Sequence, residues 1–68
     1  MSTGRTIFFD LARGFGFIAP DDGTADVFVH ISAVENADDL QQGRRVSFEV
    51  TPDRRTGRLQ AANVHVLG

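Results

Sequence analysis

The sequence predicts an all-β fold of five short strands, and three observations support this prediction. Apolar residues occur in short runs rich in valine, isoleucine and phenylalanine, and no segment shows a helical repeat. Seven glycines and two prolines divide the chain into segments of strand length. The pair Asp22-Gly23 has the turn chemistry of a tight hairpin between two of these segments.

The five predicted strands follow one another along the chain, each bounded by turn residues. Their ranges are Arg5 to Asp10, Gly14 to Ala19, Ala25 to Ile31, Arg44 to Thr51 and Leu59 to Val66. A second turn, Asp53 to Gly57, joins the last two strands. The polar, acidic segment Ser32 to Gln42 predicts a short helical turn and a crossing loop. A three-strand meander, a crossing connection and a hairpin can close into a five-stranded antiparallel barrel of the OB type, which removes exposed sheet edges.

Length and composition limit the class of protein. The 68 residues suffice for one small domain, residues 1–68, near the lower size at which a chain folds alone. With 41% hydrophobic and 24% charged residues, the composition is that of a globular protein and not of a disordered one. The absence of cysteine excludes disulfides and thiolate metal sites. Because the sequence contains no apolar signal segment and no stretch of membrane-spanning length, we expect no membrane association and a cytoplasmic location.

The charge of the chain gives only weak evidence about its ligands. A net charge of −2 disfavours tight binding to duplex phosphates, which requires an excess of basic residues. All seven basic residues are arginine, whose guanidinium can stack on a base as well as pair with phosphate. Genomic composition explains this arginine usage equally well.

Three phenylalanines and a histidine are predicted to share one face of the second and third strands. Successive strand residues point to opposite faces, so Phe15 lies on the same side as Phe17, and Phe28 on the same side as His30. If the β-branched residues between them fill the core, these four side chains face solvent together. We call them the aromatic platform. Exposed rings stack on nucleobases, and removing one such ring costs about 1 to 3 kcal/mol of binding. The platform therefore predicts binding of single-stranded nucleic acid.

The remaining phenylalanines are not all assigned to the outer face. Phe8 and Phe9 are adjacent, so one of them must point inward, and we assign Phe9 inward or to the platform's edge. Phe48 lies in phase with Val46 and Val50, and we assign it to the core with them.

The order of these motifs resembles that of the bacterial cold-shock protein family over nearly the whole chain. The segment Arg13-Gly14-Phe15-Gly16-Phe17-Ile18 matches the family's RNP1 motif, and Val27-Phe28-Val29-His30 matches its RNP2 motif. Further matching positions are Gly4, Phe8-Phe9, Asp26, Ser32-Ala33, Gln42-Gly43, Val46 to Val50 and Gln60 to Val64. An RNA-recognition-motif domain fits poorly, because it carries RNP2 before RNP1 and has two helices.

The resemblance implies binding of single-stranded RNA and DNA without strict sequence specificity, and melting of RNA secondary structure as an RNA chaperone or transcription antiterminator. The expected nucleic-acid contacts are Phe8, Arg13, Phe15, Phe17, Asp26, Phe28, His30, Arg58 and Gln60. We expect no enzymatic activity and no cofactor, because no nucleophile and base arrangement or phosphate-cradling loop is visible. Neither histidine has convergent metal ligands in the sequence. A monomer is expected, with a strand-exchanged dimer as the alternative.

The chain departs from the family pattern near the predicted interface. Phe8 stands where the family has tryptophan, Ile7 replaces a lysine, and Asp10 replaces an asparagine. Ile31 replaces a further stacking phenylalanine, and the connection after it is shortened and lacks aromatic residues. We therefore expect a shorter footprint and weaker binding than in typical members. The alternative function is an OB-type protein-interaction module, because exposed aromatic patches also form protein interfaces.

Overall fold

The computed structural model describes residues 2–67, and within this range the regular secondary structure is almost entirely β-strand. The strands are β1 (Ser2–Asp10), β2 (Phe15–Pro20), β3 (Val27–His30), β4 (Arg45–Pro52) and β5 (Leu59–Val66). A 3-10 helix, Ile31–Ala33, follows β3 and is the predicted helical turn. The all-β prediction is confirmed. No helix in the described range is long and apolar enough to cross a membrane.

The five strands close into a barrel in the order β1-β2-β3-β5-β4. The β1-β2, β1-β4, β2-β3 and β4-β5 pairs are antiparallel, as predicted. One pair differs from the prediction, because β3 and β5 run parallel, in register at Phe28 and Gln60. A closed ring with an odd number of strands cannot alternate in direction throughout, so at least one neighbouring pair must be parallel. The five-stranded OB-type barrel is confirmed with this one correction.

The core fills the inside of the barrel with the inward-facing side chains of the strands. Its buried apolar residues are Ile18, Val27, Val29, Val34, Leu40, Val46, Phe48, Ala61 and Val64. Phe48 is fully buried, as predicted, and Phe9 is partly buried against this cluster. Val50, however, is 42% exposed, so its assignment to the core is wrong. It lies opposite Ala61, whose methyl group is too small to cover the valine side chain.

The crossing connection between β3 and β4 is fixed to the end of β5. The side chain of Asn36 donates to the carbonyl of Val66 at 3.1 Å and accepts the Val66 N–H at 2.8 Å. The N–H of Glu35 donates to the carbonyl of Val64 at 2.8 Å. These contacts hold the chain that leaves the C-terminal end of β3 and so limit the movement of that end.

Candidate nucleic-acid interface

The aromatic platform lies on the outer face of β2 and β3. In the antiparallel pair, Phe15 is opposite His30 and Phe17 is opposite Phe28. The residues that alternate with them in both strands are buried, whereas the three rings are half-buried and His30 is exposed. The predicted division into a core face and a solvent face is therefore confirmed.

Gly16 allows the platform strand β2 to lie close against β1. A Cβ on residue 16 would collide with the backbone oxygen of Phe8 and lie 2.7 Å from the Cα of Phe9. Because the first two obstacles are backbone atoms, a side chain at this position would force the strands apart. The glycine between Phe15 and Phe17 is thus required for both rings to project from a closed barrel.

The phenylalanine rings of the platform pack on one another. The rings of Phe15 and Phe28 are stacked, with centroids 5.8 Å apart and an interplanar angle of 27°. The ring of Phe17 meets that of Phe28 edge-on, with centroids 6.0 Å apart. Aromatic pairs of this kind contribute about 0.5 to 1.5 kcal/mol beyond the area they bury. The rings are therefore held in position before a ligand binds, which reduces the entropy lost when a base stacks on them.

Phe8 adds a fourth ring from β1 beside the platform. It is 47% exposed, and its ring centroid lies 6.5 Å from that of Phe15. Alternation counted from the buried Thr6 would turn Phe8 inward. A register shift between Thr6 and Phe8 adds one residue to β1, reverses the alternation and places Phe8 opposite Phe17.

His30 ends β3, and the following 3-10 helix orients its ring. Its Nδ1 accepts the backbone N–H of Ser32 at 3.1 Å and lies 2.8 Å from the Ser32 hydroxyl oxygen. When Nδ1 accepts a hydrogen bond, the proton of the neutral ring is on Nε2. A Cβ at Gly14 would lie 3.7 Å from this Nε2. Because His30 is exposed, its Nε2 presents an N–H donor to solvent at the edge of the platform.

Arg13 lies in the turn between β1 and β2, beside an acidic residue. Its side chain is 74% exposed, and its Nε lies 3.8 Å from a carboxylate oxygen of Asp10. The other oxygen of Asp10 accepts the backbone N–H groups of Ala12 and Arg13 at 3.1 and 3.3 Å. The turn thus fixes the carboxylate where it offsets part of the arginine's charge.

A groove of about 220 Å³ adjoins Phe28. It is lined by Phe28, Asp53, Thr56, Arg58 and Gln60. Gln60 reaches this place because β5 runs beside β3 with Gln60 in register with Phe28. The predicted residues Arg58 and Gln60 therefore adjoin the platform. Asp53 and Thr56 were not among the predicted contacts, and only the parallel β3-β5 pairing, which the sequence does not reveal, places their turn here.

Asp26 is exposed in the loop that precedes β3, two residues before Phe28. Arg13 and Asp26 lie in the connections at opposite ends of β2, so they flank the platform and do not join the ring cluster. Among residues 2–67 there is no group of three or more His, Cys, Asp or Glu side chains that could hold a metal ion.

A family model and several known proteins resemble this chain over nearly its whole length. A family model described as the 'Cold-shock' DNA-binding domain matches residues 2–67. A probable cold shock protein of Sinorhizobium fredii is 52% identical over 66 residues, which cover 94% of this chain and 96% of the relative. The major cold shock protein of Micrococcus luteus is 50% identical over 69 residues, covering 98% of this chain and all of the relative. The solved structure of Drosophila Unr CSD456 matches with a TM-score of 0.78 and 25% identity, over 98% of this chain and 26% of that one.

The residues matched by the family model include all five strands and the aromatic platform. The two relatives are similar over nearly their whole lengths, and the structural neighbour shares the barrel. The chain therefore belongs to the cold-shock domain family, whose members bind nucleic acids.

Proposed function

We propose that the protein binds single-stranded RNA and DNA by stacking unpaired bases on the aromatic platform and Phe8. The observation that carries this proposal is the cluster of four rings on one outer face, half-buried or exposed and in mutual contact. Bases in a duplex already stack on their neighbours, so only an unpaired base can offer its face to a ring. The ligand is therefore a single strand and not a duplex.

Polar groups around the rings have separate tasks in this proposal. His30 donates from Nε2 to an acceptor on a base, such as the O2 or O4 of a pyrimidine. Arg13 and Arg58 pair with phosphates or stack on bases. Asp26 and Gln60 form hydrogen bonds with base edges. Because few of these groups are cationic, affinity for a strand that covers only the platform should decrease gently with ionic strength.

Binding of this kind is sufficient for an RNA chaperone or a transcription antiterminator. A protein that binds only the unpaired state of an RNA stabilises that state by about 2.7 kcal/mol when its free concentration is 100 times Kd. This free energy can open weak hairpins without ATP and without catalysis. We infer that residues 1–68 act as one domain in the cytoplasm, and the closure of the barrel within one chain favours a monomer.

Hairpin opening tests this function. An RNA hairpin labelled with a fluorophore and a quencher at its ends should gain fluorescence as the protein is added, with no ATP present. Phe15→Ala should shift the titration to higher protein concentration. Val50→Ala is the matched control, because it truncates an exposed apolar side chain on β4, a strand that pairs with neither β2 nor β3. The chaperone function is contradicted if the hairpin stays closed at protein concentrations that saturate a linear strand of the same sequence.

A protein-interaction module is the second candidate function, and two observations favour it. The net charge is −2. Ile31, which replaces a stacking aromatic, packs partly buried against the core and offers no ring to a base. Failure of the protein to bind single strands of any composition would favour this function over the first.

A further inference from the structure

Three arginines lie together on the barrel surface outside the site described above. Arg5 on β1 and Arg45 on β4 are directly opposite each other in the antiparallel pair. The adjacent residues in the two strands, Gly4 and Val46, are buried. Because successive strand residues point to opposite faces, both arginines face outward. Arg44, which precedes β4, is also exposed, and its carbonyl accepts the N–H of Thr6 at 2.9 Å, so its backbone lies beside the residue that follows Arg5. We call Arg5, Arg44 and Arg45 the arginine cluster.

The arginine cluster continues the surface that carries the aromatic platform. Ala19 lies directly opposite Arg5 in the β1-β2 pair. Ala19 is two residues beyond Phe17 in β2 and therefore on the same outer face, about 6 to 7 Å further along the strand. Because alanine is small, no bulky side chain of β2 separates the Phe17 ring from the guanidinium of Arg5.

The cluster keeps a net positive charge in an otherwise acidic protein. Asp21 offsets part of it, since its Oδ2 lies 2.9 Å from Nη2 of Arg45 and accepts the Thr3 hydroxyl at 2.8 Å. The hydrogen bond from Thr3 is the largest cause that lowers the pKa of Asp21, and the charges of Arg45 and Arg5 lower it further. Like an ordinary aspartate, Asp21 is therefore ionised at neutral pH. Within residues 2–67, neither Arg5 nor Arg44 forms an ion pair. Like charges opposite each other destabilise a sheet, and Asp21 forms its ion pair with Arg45, so the stability of the fold does not account for Arg5.

We propose that the arginine cluster binds the phosphates of the single strand where it continues beyond Phe17. The ligand is the phosphodiester backbone, because guanidinium groups pair with phosphate oxygens in a planar, two-point geometry. The contact carries no base specificity. This inference rests on the proposed function, since the platform must first hold the bases that bring the backbone to the cluster. Asp21 competes with phosphate for Arg45 and limits the affinity.

The salt dependence of binding tests this inference. Two oligothymidine strands are compared, one of about four nucleotides and one of about twelve, within the range of site sizes of single OB folds. For the long strand, Arg5→Gln and Arg44→Gln should each reduce the slope of log K against log salt by about 0.7, the value for one phosphate contact of a single strand. Both variants should leave the slope for the short strand unchanged. Asp21→Asn should tighten binding of the long strand.

Asn63→Asp is the control for net charge. It makes the same change of one charge unit as each arginine variant, on an exposed residue of β5 whose φ of 51° aspartate also tolerates. The inference is overturned if the slopes of both arginine variants stay unchanged, or if Asn63→Asp lowers the slope equally. With either of these outcomes, the proposed function would still hold if the Phe15→Ala variant bound both strands more weakly than the unsubstituted protein does. Absence of binding by the unsubstituted protein to either strand would overturn both proposals.

Discussion

Phe8 lies directly opposite Phe17 across β1 and β2, because β1 carries one extra residue between Thr6 and Phe8. The shift turns Phe8 outward and leaves Phe9 partly buried against the core. A bulge of one residue thus determines which of two adjacent phenylalanines reaches the ligand face. The ring that it exposes extends the aromatic surface from two strands to three.

Truncation of the platform rings should weaken binding much more than it weakens folding. Phe15→Ala, Phe17→Ala and Phe28→Ala should each cost about 1 to 3 kcal/mol of single-strand affinity. Phe48→Ala removes a fully buried ring and should lower the free energy of unfolding by about 3 to 5 kcal/mol. Denaturant unfolding and anisotropy titration of all four variants measure both effects. Losses of stability at the platform as large as that of Phe48→Ala would mean that the rings serve mainly as core.

Phe8→Trp should strengthen binding. Phe8 is already exposed beside Phe15, so a larger ring gains stacking area without entering the core. We expect a gain of about 0.5 to 1.5 kcal/mol, the range for aromatic contacts. Since the chain has no tryptophan or tyrosine, the new indole also reports binding by its own fluorescence. Unchanged affinity together with indole emission that does not respond to ligand would show that position 8 lies outside the footprint.

The hydrogen bonds from Ser32 should keep the neutral ring of His30 in the Nε2–H form. Nitrogen NMR of the imidazole ring distinguishes the two tautomers directly. Ser32→Ala removes the hydroxyl contact but keeps the backbone donor, so the tautomer should persist with a smaller bias. His30→Ala should cost about 0.5 to 1.5 kcal/mol of affinity if Nε2 makes one hydrogen bond to a base. Finding the proton on Nδ1 in the unsubstituted protein would refute this geometry.

Asp21 should make the stability of the fold depend on pH in acid. The hydrogen bond from Thr3 lowers its pKa, and the charges of Arg45 and Arg5 act in the same direction. A carboxyl whose folded pKa lies below its unfolded value stabilises the fold above the unfolded value, and this contribution disappears as pH falls through the folded value. Asp21→Asn should therefore lower Tm at neutral pH and have little effect well below about pH 4. Asp38→Asn is the control, because it also removes one exposed carboxylate. A Tm difference between Asp21→Asn and the unsubstituted protein that persists in acid would contradict this charge-based explanation.

The sequence was sufficient for the features that depend on strand alternation. In β2 and β3 the period of two separates the rings from the β-branched core residues without ambiguity, so the platform was predicted correctly. The other features of the interface and of the arginine cluster depend on which residues face each other across neighbouring strands. The register shift before Phe8, the parallel alignment of Gln60 with Phe28, and the opposition of Arg5 and Arg45 are properties of pairs of strands. A single sequence contains no direct record of such pairing.

The most direct test of the proposed function is an anisotropy titration of a fluorescently labelled, pyrimidine-rich single strand and of the duplex with the same sequence. Stacking on the platform predicts saturable binding of the single strand and much weaker binding of the duplex. Equal binding of the two forms would contradict base stacking, and absence of binding to either would contradict the proposed function as a whole.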